Sequence, residues 1–159
     1  MTAVLKGLVL AGGQSRRFGS DKAAVVVLRK QSQLSYLFAL LAEILPEVFV
    51  SVRPEQGIDG LRAQYPQVVD MAVGLGPTGG LLAAHTFDPE AAWLVVACDM
   101  PLLSRAVLQA LLDGRNPQRG ATAFVGSDGL PEPLCAIYEP ATLAALQAGI
   151  AAGRDVAGP

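Results

Sequence analysis

Apolar runs of strand length alternate along the chain with stretches where apolar residues return every three or four positions. This alternation predicts a mostly parallel sheet covered by helices. Val4 to Leu10 is the first strand, followed by a polar segment punctuated by Gly12, Gly13 and Gly19 that reads as a glycine-rich loop. Leu34, Leu37, Phe38, Leu41 and Leu45 share one helical face, so a helix is expected to about Leu45, stopping before Pro46. Val48 to Val52 is the second strand, and Val68-Val69 a short third ending at Asp70. A second glycine-rich turn, Gly74 to Gly80, leads into a helix expected to begin near Pro77 or Thr78. Trp93 to Cys98 is continuously apolar, as in a strand covered on both faces. Ser104 can cap a helix carrying Val107, Leu108, Leu111 and Leu112, which Asp113-Gly114 closes. Ala121 to Val125 and Leu134 to Tyr138 are the last strands, paired like a hairpin around Gly126 to Gly129, and Leu143, Leu146 and Ile150 mark a final helix.

Composition narrows the class. The 159 residues are 52% hydrophobic and 16% charged, enough apolar surface for one core and too little charge for a disordered chain. No repeat or linker divides them, so one domain over residues 1–159 is expected. Twelve basic residues against fourteen acidic ones give a net charge of −2, and no Lys/Arg run builds the field that nucleic acid or an anionic membrane surface requires. No apolar stretch approaches the roughly 20 residues of a membrane span. The two cysteines, Cys98 and Cys135, sit in apolar runs and read as buried thiols, so a cytoplasmic location is expected.

In an open α/β sheet, ligands gather at the carboxyl ends of strands. The segment LAGGQSRRFGSDK, Leu10 to Lys22, combines glycines that let backbone amides approach a phosphate with Arg17 and Lys22, which supply charge. It is neither a Walker A loop, since no Ser or Thr follows Lys22, nor the dinucleotide fingerprint, whose spacing Gly12-Gly13 breaks. Asp99, after the buried strand, can hold Mg²⁺ together with phosphate oxygens; the plain alternative is a turn cap. Asp70 ends the third strand, as a ligand acceptor or as an exposed strand-end carboxylate.

LAGGQSRRFGSDK resembles the L-x-G-G-x-S-x-R-M-G-x-D-K signature of molybdenum cofactor guanylyltransferases, with Phe18 in place of the methionine. The cytidylyl relatives resemble R-M-G-x-P-K instead, so Asp21 tilts the choice towards guanine. Gly76-Pro77-Thr78-Gly79-Gly80-Leu81, Cys98-Asp99-Met100-Pro101 and Leu130 to Ala136 are similar to later family segments, in the same order. The resemblance implies a Rossmann-like nucleotidyltransferase fold of the nucleotide-diphospho-sugar transferase type, with a mostly parallel sheet covered on both faces. It implies transfer of GMP from GTP to the phosphate of molybdopterin (Mo-molybdopterin), with Mg²⁺ as cofactor and pyrophosphate as leaving group. The resemblance implies nucleotide contacts at Leu10, Ala11, Gly12, Gly13, Ser15, Arg17, Lys22, Asp70 and Asp99, with Asp70 accepting from guanine N1–H and N2–H₂ or from ribose hydroxyls. Of these, Arg17, Lys22 and Asp99 are the catalytic residues and Asp99 the metal ligand. Other proteins of the cofactor pathway are implied as partners.

The resemblance leaves alternatives: a cytidylyltransferase or sugar-phosphate nucleotidyltransferase of the same fold, or a non-catalytic nucleotide-binding relative. Relatives continue into an N-V-N-T-P-like segment whose asparagine joins the metal site, whereas this chain ends at Ala157-Gly158-Pro159, so the domain is expected to lack that extension. Many relatives carry a nucleotide-contacting asparagine at the place of Arg53, a departure that makes Arg53 a weak candidate. His85, the one histidine, lies at helical spacing from Leu81 and Leu82 and reads as a partly buried helix residue rather than a base. Trp93 reads as packing.

Overall fold

A computed structural model of the chain describes residues 2–11, 32–56, 58, 60–72, 74–100 and 103–153. Its strands are β1 (Leu5–Leu10), β2 (Val48–Val52), β3 (Gln67–Val69), β4 (Ala92–Ala97), β5 (Ala121–Val125) and β6 (Pro131–Tyr138). Its helices are α1 (Gln33–Ala42), α2 (Pro77–Phe87), α3 (Arg105–Asp113) and α4 (Pro140–Ala151). The six strands form one sheet in the order β3-β2-β1-β4-β6-β5. β1 pairs in parallel with both β2 and β4, and β2 with β3, whereas β6 runs antiparallel to β4 and to β5. The sheet is therefore mostly parallel, with one reversed strand.

Strand alternation divides the core in two. Val9, Val50, Leu94, Val96 and Ile137 join Leu34, Leu37 and Leu41 of α1 and Leu108 and Leu111 of α3 in one buried cluster. Leu8, Trp93 and Val95 point the other way, onto Leu81 and Ala84 of α2 and Leu143 of α4. Adjacent residues of β1 and β4 thus serve opposite faces, as the period of two requires. This is why β4 reads as unbroken apolar sequence, and all six of its residues are buried. Trp93, with no exposed surface, meets Phe49 edge-on at 5.8 Å between ring centres, so it packs as expected.

Local chemistry sets the ends. The Ser32 hydroxyl accepts from the Ser35 amide (3.1 Å) to begin α1, and the Ser104 hydroxyl accepts from the Val107 amide (3.3 Å) to begin α3. α1 ends at Ala42, short of the expected Leu45. Leu45 N–H still donates to the Leu41 carbonyl (2.9 Å), so the apolar period continues through a turn although the helix has ended. Among the described residues no helix is long and apolar enough to cross a membrane.

Candidate active site

β1 is flanked by β2 on one side and β4 on the other, so the chain reverses its direction of sheet growth there, and the crevice for a ligand lies beyond the carboxyl ends of β1 and β4. Leu10 stands opposite Ala97 in the register, which brings the end of β1 level with the Cys98-Asp99 exit from β4. Ala11 is buried, its N–H donating to the Ser51 carbonyl of β2 (3.1 Å) and its carbonyl accepting from Nε of Arg62 (2.9 Å). Gly12, Gly13, Ser15, Arg17 and Lys22, five of the residues singled out from the sequence, lie outside the described residues.

Asp70 follows β3 on the same edge. Its N–H donates to the Val52 carbonyl (2.7 Å), its Oδ1 accepts from the Ala72 amide (2.9 Å), and its Oδ2 lies 4.0 Å from Nη1 of Arg53. The same Nη1 donates to the Ala72 carbonyl (3.1 Å), so Arg53, the weak candidate, braces the loop carrying Asp70. The start of α2 closes over this carboxylate. Gly76 caps the helix at φ 57°, a conformation that favours glycine, and Pro77 opens it. Gly79 and Gly80 are buried beneath: a Cβ on Gly79 would lie 2.3 Å from Asp70 Oδ2, and one on Gly80 2.7 Å from Leu10 Cδ2 and 2.8 Å from Ser51 Oγ. The second glycine-rich turn therefore exists to seat a helix N-terminus on the ends of β1, β2 and β3. There its partial positive charge meets a buried carboxylate.

Asp99 is exposed at the mouth. Mg²⁺ usually binds through one or two carboxylates plus substrate phosphates and waters, so a single carboxylate here fits a metal arriving with a triphosphate. Among the described residues, no group of three or more His, Cys, Asp or Glu side chains could hold a metal on its own. The Tyr36 hydroxyl of α1 donates to the Leu103 carbonyl, tying down the chain shortly after Asp99.

The remaining candidates stand aside. His85 is buried rather than partly so, and its Nδ1 has no hydrogen-bond partner; it lies eight residues into α2, about 12 Å along the axis from the helix start. Cys98 and Cys135 are buried and form no disulfide, and burial, with Glu132 nearby, pushes the Cys135 thiol up to about 11. Arg62, Ser51 and Tyr36 were not legible as site residues, because each contributes through a contact with a residue distant in sequence.

An open, mostly parallel sheet with strand-end carboxylates at its reversal point defines an α/β domain whose ligand crevice lies at the carboxyl edge of the sheet. The chain belongs to the family described as the MobA-like NTP transferase domain, which matches residues 7–157. A molybdenum cofactor biosynthesis bifunctional protein from Synechocystis sp. is 36% identical over 140 residues, and the match covers 87% of this chain and 40% of that protein. The chain thus spans less than half the length of that relative. A probable molybdenum cofactor guanylyltransferase from Pelotomaculum thermopropionicum is 33% identical over 149 residues, 93% of this chain and 70% of the relative. The crystal structure of molybdopterin-guanine dinucleotide biosynthesis protein A from Archaeoglobus fulgidus matches with a TM-score of 0.72 at 26% identity, covering 94% of this chain and 74% of that one.

Proposed function

We propose that this domain transfers GMP from GTP to the terminal phosphate of molybdopterin (Mo-molybdopterin), releasing pyrophosphate and forming the guanine dinucleotide cofactor. The observation that carries this reading is the Leu10–Ala97 register, which sets the entrance to LAGGQSRRFGSDK beside Asp99 at the sheet's reversal point. The family and the names of the relatives support the substrates.

In the reaction, a phosphate oxygen of molybdopterin bonds to the α-phosphorus, and the bond to the β-bridging oxygen breaks. The attacking phosphate is already ionised at neutral pH, so no general base is needed, in keeping with a buried His85. What remains is alignment and neutralisation of charge on the triphosphate. Gly12, Gly13 and Ser15 offer donors for the phosphates; Arg17 can bridge two oxygens, and Lys22 acts as a point charge. Asp99 would hold Mg²⁺, which neutralises triphosphate charge when bound. Asp70 is the acceptor for guanine or ribose, through the lone pairs that its contacts with Ala72 and Arg53 leave.

Calorimetry with GTP, CTP and ATP, with and without Mg²⁺, followed by pyrophosphate release on adding molybdopterin, tests the reading. Selective GTP binding with release is expected. Preference for another nucleotide overturns the guanine assignment, and GTP binding without release overturns the transfer.

A further inference from the structure

We propose that Arg62 is a positioning residue for nucleotide transfer, fixing Ala11, at the carboxyl end of β1, through its carbonyl. This rests on the reading above that the segment binds the nucleotide. Arg62 is 1% exposed, the most deeply buried charged side chain among the described residues. Withdrawing a guanidinium from water is costly, and Arg stays charged when buried, so its partners have to repay that cost.

One partner is Ala11, which Arg62 Nε reaches at 2.9 Å across 51 residues of sequence. Ala11 N–H is already engaged by the Ser51 carbonyl, so both backbone polar groups of this residue are fixed by elements outside β1. With its amide and carbonyl both held, Ala11 is a fixed point at the carboxyl end of β1, next in sequence to Gly12.

The base of Arg62 is held as well. It opens a 3-10 turn, Arg62–Gln64, and its carbonyl accepts from the Tyr65 amide (3.1 Å) and from Nε2 of Gln67 (3.0 Å). Tyr65 in turn shares a hydrogen bond with the Ser35 hydroxyl (2.7 Å) and packs at a tilt against Phe38, with ring centres 4.6 Å apart. The guanidinium therefore projects from a turn anchored to α1 and β3, and it carries a fixed positive charge to the carboxyl end of β1. A structural arginine needs only a partner; this one grips the backbone at the point where the phosphate-binding segment starts.

The test compares Arg62→Lys and Arg62→Met with Leu143→Ala, a core truncation on the α4 side of the sheet that lowers stability without touching this edge. Thermal midpoint, GTP affinity in Mg²⁺, and kcat and KM for pyrophosphate release are measured well below each midpoint. Arg62→Met should lose about 100-fold in kcat/KM, chiefly through kcat, and Arg62→Lys, which keeps one donor for the carbonyl, about 10-fold. Leu143→Ala should keep wild-type kinetics.

If Arg62→Met does not fold, Arg62→Lys decides alone. Kinetics equal to those of Leu143→Ala in whichever Arg62 variant folds overturn the positioning role and leave guanylyl transfer standing. If the wild type itself binds another nucleotide or releases no pyrophosphate, the functional reading fails instead. The affinity ratio of variant to wild type for the nucleotide that does bind then decides on Arg62, an unchanged ratio overturning its role.

Discussion

Gly79 lies so close to Asp70 that a single added methyl group would stand 2.3 Å from its Oδ2 and 2.8 Å from its Cγ. On an open helix, exchanging Gly for Ala stabilises by up to about 1 kcal/mol. Here the sign reverses, because the carboxylate is held by the Ala72 amide and faced by Arg53 and cannot retreat without breaking these contacts. Gly79→Ala should destabilise by about 1–3 kcal/mol. It should also weaken GTP binding, as urea denaturation and calorimetry will show. Gly80→Ala meets the ends of the Leu10 and Ser51 side chains, at 2.7 and 2.8 Å, and, facing no charged group, should cost less.

Asp99→Asn removes the charge at the mouth of the crevice while keeping the shape of the side chain. If this carboxylate carries the metal role, pyrophosphate release should fall by about 10²–10³-fold. The Mg²⁺-dependent part of GTP affinity should vanish with it. Wild-type turnover in this variant would remove Asp99 from the mechanism.

At the opposite end of the sheet, Lys6 bridges Asp88 (2.6 Å) and Glu47 (3.0 Å). The Lys6 hydrogen bond, acting against burial, holds the Asp88 carboxyl below its ordinary 3.8, and its bond to Asp88 holds Lys6 above 10.5, also against burial. A lowered carboxyl stabilises the fold above its unfolded value, and that gain is lost as pH falls through the lower folded value. A raised amine stabilises below its unfolded value, and the gain is lost as pH rises through the higher folded value. The stability difference between wild type and Asp88→Asn should therefore be flat across neutral pH, shrinking below about pH 4 and above about pH 10.5. Urea midpoints measured across that range check it.

Arg115 and Glu139 form a paired contact, Nε to Oε1 at 2.8 Å and Nη2 to Oε2 at 2.9 Å, and Nη2 also reaches the Ala3 carbonyl (3.0 Å). Both side chains are largely buried, so Arg115→Met strands a carboxylate and should cost about 3 kcal/mol. Adding Glu139→Gln should recover part of that loss, a coupling that a double-mutant cycle in urea would measure.

Most of the architecture was legible in the sequence because it rests on short-range signals. Val48–Val52 and Ala121–Val125 form strands with the expected bounds, and Ser104 and Gly114 bracket α3 as read. Asp70 and Asp99 stand at strand ends because apolar runs stop there. The 3-10 turns at Pro54–Gln56 and Arg62–Gln64 were not legible, since three residues are too few to carry a period. Nothing local encodes the burial of Arg62, which depends on its contact with Ala11, 51 residues away. The burial of Asp70 was hidden similarly, for it depends on Gly79 arriving from α2.

The adjacency of β1 and β4 also has a consequence for synthesis on the ribosome. β1 emerges first, yet its carboxyl end has no neighbour on the Asp99 side until β4 has been made and inserted beside it, after β2, β3 and α2. Pairings between segments so distant in sequence form late and slowly. A nascent chain that has not yet docked β4 therefore has only half a crevice, and the crevice is complete only once the centre of the sheet has been assembled.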